Sequence, residues 1–143
     1  MKVKIKKLDP KAVVPKYAKE GDAGLDLTSI SRSFDDKNNV IYKTGLAIEI
    51  PYGYVGLIFP RSSIANKNQL LTNSVGVIDS GYRGEITFKF KSIQNSTQFC
   101  KPYEVGERVG QLIIIPYPSI EFEEVEELTE TERGKGSYGS TGK

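Results

Sequence analysis

A rhythm of short apolar runs with a period of two, each closed by Gly, Pro or Asn, constrains this chain more than any other feature. Leu46, Ile48 and Ile50 alternate with Ala47 and Glu49, Pro51-Tyr52-Gly53 turns the chain, and Tyr54-Val-Gly-Leu-Ile-Phe59 resumes it. Val3 and Ile5 alternate with Lys2, Lys4 and Lys6, an opening strand with a solvated lysine face. Alternation places successive side chains on opposite faces of a strand. Several such strands at short spacing, with little helical periodicity between them, predict an all-β, antiparallel sandwich or barrel. At 143 residues, 38% of them hydrophobic, the chain is long enough to bury one core and too short for two.

The absences narrow the chemistry. With no histidine and a single cysteine, Cys100, the chain cannot build a Ser-His-Asp or Cys-His system, a His/Cys zinc site or an intrachain disulfide. Catalysis must rest on carboxylates, basic residues, hydroxyls and backbone dipoles, with or without a hard cation. A net charge of +2 demands neither nucleic acid nor an anionic membrane. Apolar runs as short as Leu112 to Ile115 are no membrane span, and the first residues do not read as a signal peptide. The expected location is the cytoplasm, or the host cytoplasm if the gene is phage-borne.

The most informative stretch is Asn73-Ser-Val-Gly-Val-Ile-Asp-Ser-Gly-Tyr-Arg-Gly-Glu85. Strand formers Val75, Val77 and Ile78 precede the Ser80-Gly81 link, and Ile86, Phe88 and Phe90 follow it. This predicts a hairpin with Gly81 at positive φ and with Asp79 and Tyr82 held together at its tip. Asp79 either closes the turn or serves chemistry, and this segment does not decide between them.

Other segments are similarly double-edged. In Glu20-Gly-Asp-Ala-Gly-Leu-Asp-Leu27 the leucines put Asp26 on the opposite face, as a solvated carboxylate or as a site residue. Residues 28–39 read as polar, with 35–39 a loop tip. The serines of Pro60-Arg-Ser-Ser-Ile-Ala65 can cap a short helix whose free amides suit an anion beside Arg61, or Arg61 is a surface residue. Leu112-Ile-Ile-Ile115 reads as a strand covered on both faces. Gln111 at its entrance either satisfies a sheet edge or donates to a phosphate oxygen. Residues 120–132 carry seven glutamates among Phe122, Val125 and Leu128, which reads as an edge strand and a solvated turn. The Gly-rich, basic stretch Arg133 to Lys143 cannot build core. It is either a linker or a flexible segment whose amides, hydroxyls and cations suit a polyphosphate, with Tyr138 for a flat ring.

Taken together, Ala23-Gly-Leu-Asp-Leu27, Pro60-Arg-Ser-Ser-Ile-Ala65, Asn73 to Glu85, Gly106-Glu-Arg-Val-Gly-Gln111 and Arg133 to Gly142 resemble, in order, the five segments of the trimeric dUTPases (dUTP diphosphatases). The resemblance implies a jelly-roll subunit, residues 1–132, and a mobile C-terminal lid, 133–143. It implies a homotrimer with shared active sites that hydrolyses dUTP to dUMP and pyrophosphate with Mg2+. By the same resemblance Asp79 holds the attacking water, and Tyr82 packs under deoxyribose and excludes a 2′-hydroxyl. Asn73, Gly76, Val77 and Ile78 lie around the uracil, with the main chain at Gly76 to Ile78 pairing with its edge. Arg61, Ser62, Ser63 and Gln111 cradle phosphate, and Asp26 orders the waters of the metal. Arg133, Ser140 and Thr141 close over the γ-phosphate, Tyr138 stacks on uracil, and Gly139 between them also belongs to the substrate site. Ser63 stands where many family members carry Gly, and Tyr138 where Phe is usual. A dCTP deaminase of the same fold uses a Ser-Arg-Ala-Glu type motif, which the residues after Arg61 do not match.

Overall fold

The computed structural model describes residues 1–73, 75–93 and 101–137. Among them there are ten strands and one short 3-10 helix, in the order β1 (Lys4–Lys7), β2 (Leu25–Thr28), β3 (Ser31–Phe34), β4 (Val40–Lys43), β5 (Leu46–Glu49), β6 (Tyr54–Phe59), the helix Ser62–Asn66, β7 (Gln69–Leu71), β8 (Gly76–Ile78), β9 (Thr87–Ser92) and β10 (Arg108–Pro116). All pairings are antiparallel. One four-stranded sheet runs β2-β10-β6-β8, the other β3-β4-β9-β7, and β1 pairs with β5 in a ribbon. The expected all-β, antiparallel class is what the chain adopts.

The core lies between the two large sheets. Leu27, Ile58, Val109 and Leu112 come from the first sheet, and Val40, Tyr42, Phe88 and Phe90 from the second; all are 3% exposed or less. Phe88 stacks on Phe90 with centroids 6.2 Å apart, and Tyr42 meets Phe90 edge-on at 5.8 Å. Lys89 and Lys91 alternate outward, as expected from period two.

The pairing of β10 with β2 shifts between Arg108 and Gly110. Val109 is the extra residue of a β-bulge, so Val109 and Gly110 both face the core. Gly110 is needed here by close approach: a Cβ on it would fall on the ring of Phe88. The bulge also puts Arg108 and Gln111 on one outer face, although residues three apart in a regular strand face opposite ways.

Several sequence expectations are corrected. β8 and β9 do not form a hairpin, because β8 pairs with β6 and β9 with β4 and β7, so the Ser80-Gly81 turn carries the chain from one sheet to the other. Gly81 does not enter the left-handed region, since a crossing turn has no strand twist to match. The polar stretch 28–39 contains β3, an edge strand; its loop tip is right, with the Asp35 carboxylate accepting from the backbone of Lys37 and Asn39 and holding the Asn39 amide. Those bonds hold the Asp35 carboxyl below the usual carboxylate range, Asn39 first. The strand Leu112 to Ile115 is covered on one face only: Leu112 is 1% exposed and Ile115 40%. Residues 117–132 form no strand, and their apolar side chains find no core, with Phe122 93% and Leu128 86% exposed.

Candidate active site

Asp26 sits in β2 on the outer face, because its neighbour Leu27 is drawn into the core. Its carboxylate is only 19% exposed, and both oxygens are engaged: Oδ1 accepts from Arg61 Nε at 2.8 Å and Oδ2 from Arg108 Nη1 at 2.9 Å. Gln111 stands opposite Asp26 in the ladder and donates through Nε2 to the carbonyl of Pro60 at 3.2 Å. Its amide occupies the space a Cβ on Gly24 would need. Around these groups lies a cleft of about 400 Å³ lined by Asp22, Gly24, Asp26, Arg61, Ser62, Arg108 and Gln111, among others. Two guanidinium groups, an amide and a hydroxyl are donors that match phosphate oxygens.

The expected short helix is present as Ser62–Asn66, but the serines lie inside it and do not cap it. Arg61 holds the cap position with extended backbone and makes no side-chain cap bond. Its side chain is instead committed to Asp26, and the Ser63 hydroxyl lies 3.0 Å from the hydroxyl of Tyr103.

The second cluster lies at the turn after β8. The Tyr82 amide donates to the Asp79 carbonyl at 3.0 Å, which closes the turn and holds the two residues together as expected. The Tyr82 ring lies over Gly84, and its hydroxyl donates to the Glu85 carbonyl at 3.0 Å. Arg83 braces the turn by donating to the carbonyls of Ser80 at 2.6 Å and Tyr82 at 2.9 Å. Glu85 and Ile86 anchor it to the body: Glu85 Oε1 accepts from the Gly45 amide at 2.8 Å and the Ile86 amide donates to Leu46 at 2.8 Å. β8 is the end strand of its sheet, so its outer backbone edge is not paired with another described strand, with Gly76 buried and Val77 60% exposed. Asn73 lies exposed just before it.

The expected site residues therefore fall into two groups. Asp26, Arg61, Ser62 and Gln111 share the cleft, with Ser63 behind it; Asn73, Gly76, Val77, Ile78, Asp79 and Tyr82 do not line it. β2 and β8 are opposite ends of one sheet, three strand spacings apart, or about 14 Å. Arg133 lies in an exposed turn where its Nε donates to the Gly136 carbonyl at 3.3 Å, and it does not line the cleft either. Tyr138, Gly139, Ser140 and Thr141 lie outside the described residues, as does Cys100. Arg108 was missed by sequence reasoning, since regular alternation turns it away from Gln111; Gly110 inside a strand was the available signal for a bulge. Arg83 was missed as well, and nothing in its spacing marks it.

The chain is an all-β subunit with a phosphate-matching polar cleft and a separate polar turn at opposite ends of one sheet. A family model described as dUTPase matches residues 10–142, and the chain belongs to the dUTPase family. It is 42% identical over 152 residues to the deoxyuridine 5'-triphosphate nucleotidohydrolase of Acinetobacter baumannii (strain ATCC 17978), covering 100% of this chain and 99% of that relative. It is 40% identical over 144 residues to the enzyme of the same name from Rhodococcus erythropolis (strain PR4), covering 99% and 87%. Among solved structures, the Staphylococcus bacteriophage 80alpha dUTPase G164S mutant with dUpNHpp superposes with a TM-score of 0.85 at 28% identity, covering 99% of this chain and 98% of that one. The activity is that of a dUTP diphosphatase. No helix among the described residues is long and apolar enough to cross a membrane.

Proposed function

We propose that this enzyme works as a homotrimer in which each site joins the cleft of one chain to the Asp79 turn of another, with a mobile lid from residue 133 onward. The observation that carries this is the surface between the two clusters. On the outer face of the sheet, Leu57, Phe59, Val77, Ile113 and Ile115 follow one another across β6, β8 and β10. A triphosphate cannot rest on such an apolar strip, and Asp79 lies far beyond the reach of one bridging water from the cleft of its own chain. Covering that strip with a second copy buries apolar surface and brings an Asp79 turn from outside to the cleft. The exposed Ile120, Phe122, Val125 and Leu128 of the acidic arm 117–132 are a further surface for a neighbouring copy.

In this site Arg61, Ser62, the Ser63 amide and Gln111 hold the phosphates, and Asp26 keeps the Arg61 fork in orientation. Asp79 orients a water for in-line attack on the α-phosphorus and takes its proton. A new oxygen–phosphorus bond forms as the bond to the bridging oxygen breaks, and pyrophosphate leaves with that oxygen. The outer backbone edge of β8 reads uracil, Asn73 lies beside it, and Tyr82 leaves no room for a 2′-hydroxyl. Arg133, Gly139, Ser140 and Thr141 close over the phosphates, and Tyr138 covers the base.

The residues present fit a magnesium ion that arrives with the substrate. Among the described residues no group of three or more His, Cys, Asp or Glu side chains could cage a metal, while one nearly buried carboxylate, Asp26, stands at the phosphate cleft with lone pairs left for metal-bound water. When bound, Mg2+ offsets charge on the triphosphate. The reaction keeps uracil out of DNA and supplies dUMP for thymidylate synthesis in the cytoplasm, with a free nucleotide, not nucleic acid, as substrate. Incubation with each dNTP and Mg2+ tests it: pyrophosphate is expected from dUTP alone, and ammonia release from dCTP would point to a deaminase instead.

A further inference from the structure

The turn that carries Arg61 and Ser62 has little of its own to hold it. It is a five-residue 3-10 helix with none of its residues buried and no side-chain cap. Ile64 packs against the core, Asp26 holds Arg61 and Gln111 holds the Pro60 carbonyl, and the remaining ties to the sandwich run through residues 103–108. Tyr103 is 2% exposed, edge-on to Tyr42 at 6.2 Å and tilted against Phe90 at 6.0 Å, and its hydroxyl meets the Ser63 Oγ at 3.0 Å. Lys67, at the far end of the turn, stands 4.7 Å over the same ring and reaches Glu107 at 3.5 Å. Glu107 accepts from the Glu104 amide at 2.6 Å, and the next residue, Arg108, grips the Asp26 that grips Arg61. The main chain at Tyr103 is fixed in turn: its carbonyl accepts from the Tyr42 hydroxyl and from Arg32 Nη1, each at 3.0 Å.

We infer that Tyr103 is a positioning residue for phosphate binding, holding the 61–66 turn through the Ser63 hydroxyl. The donors of Arg61, Ser62 and Ser63 are then presented to dUTP without being ordered at the moment of binding. This rests on the phosphate role proposed for the turn. The Ser63 hydroxyl thereby has a task of its own: it anchors the turn from behind the cleft that Arg61 and Ser62 line. Ordering a loop on binding costs affinity, and a pre-ordered one does not incur that cost.

The test uses Tyr103→Phe, Ser63→Ala and the double variant, with the affinity of dUpNHpp and of deoxyuridine measured by calorimetry beside kcat, KM and Tm. Each single variant is expected to weaken dUpNHpp about fivefold, the fold-change of one modest net hydrogen bond, and to raise KM to match with kcat within about twofold. Deoxyuridine, which has no phosphate, is expected to bind as before. The double variant is expected to be no weaker than either single one, because both remove the same bond. Unchanged dUpNHpp affinity in the single variants, an equal loss for deoxyuridine, or losses that multiply in the double variant would overturn the inference. If Tyr103→Phe does not fold, Ser63→Ala alone decides on the same affinities. Failure of the wild type to release pyrophosphate from dUTP would instead overturn the proposed reaction, leaving the binding comparison readable.

Discussion

Gly110→Ala probes the link between packing and site. A Cβ built on Gly110 meets three ring atoms of Phe88, the farthest of them, Cδ1, at 2.8 Å. Ordinary carbon contacts lie at about 3.5–4.0 Å, so the methyl cannot be seated without movement. Phe88 is fully buried and stacked on Phe90, so its ring has nowhere to swing. Either the sheets part or the bulge at Val109 opens. Overpacking a core costs about 1–3 kcal/mol, and a contact this close at a fixed ring belongs at the upper end, about 3 kcal/mol. For a chain of this size each kcal/mol is worth about 2–4 °C, so Tm is expected to fall by about 6–12 °C. Function should suffer below that temperature too, because the bulge alone turns Arg108 to the same face as Gln111. The assay is thermal unfolding by circular dichroism at fixed protein concentration, beside kcat/KM for dUTP at 25 °C. Adding Phe88→Leu should recover part of the lost Tm by making room. A Tm within about 2 °C of wild type together with unaltered kcat/KM would refute the reasoning.

Asp79→Asn is expected to keep the fold and the affinity for dUpNHpp while lowering kcat by about 10²–10⁴, because an amide fills the space but cannot take the proton; near-normal turnover would remove Asp79 from its role. Tyr82→Ala should let UTP compete with dUTP, and unchanged exclusion of UTP would place the sugar sieve elsewhere. Removing Arg133 to Lys143 should shift Tm by no more than about 2 °C, since the described part of this segment is exposed and free of the core, yet should sharply reduce dUTP hydrolysis. A large loss of stability would make the tail structural.

Period-two alternation made most of the fold legible. It located β1, β5, β6 and β9, since one face of each is drawn toward the core, while β10 was marked by its continuous apolar run over 112–115. It failed at β3, whose residues Ser31, Arg32 and Ser33 carry no apolar signal because this edge strand buries little. It failed differently at Ser80-Gly81, where strand spacing was read as a hairpin although β8 and β9 belong to opposite sheets: local sequence fixes a turn but not which sheet the next strand joins. Residues 120–132 read as an edge strand and a solvated turn from their apolar residues, but those side chains stay exposed and no strand forms there. Asp26, Arg61 and Gln111 were readable as a set only through the coincidence of five segments. Arg108 was not, because a bulge reverses the facing that regular alternation assigns. The Tyr103–Ser63 contact joins residues forty positions apart and leaves no local trace.

The shared site is tested most directly by subunit mixing. Arg61→Ala chains keep a sound Asp79 turn but a damaged cleft, and Asp79→Asn chains keep the reverse, so each homotrimer alone should release little pyrophosphate from dUTP. If the two are denatured, mixed equally and refolded at random, about a quarter of sites should join a sound cleft to a sound Asp79 from another chain. The expected result is recovery of roughly a quarter of wild-type activity per site. If cleft and turn act within one chain, no such combination exists, and a mixture no more active than its parents would contradict the account.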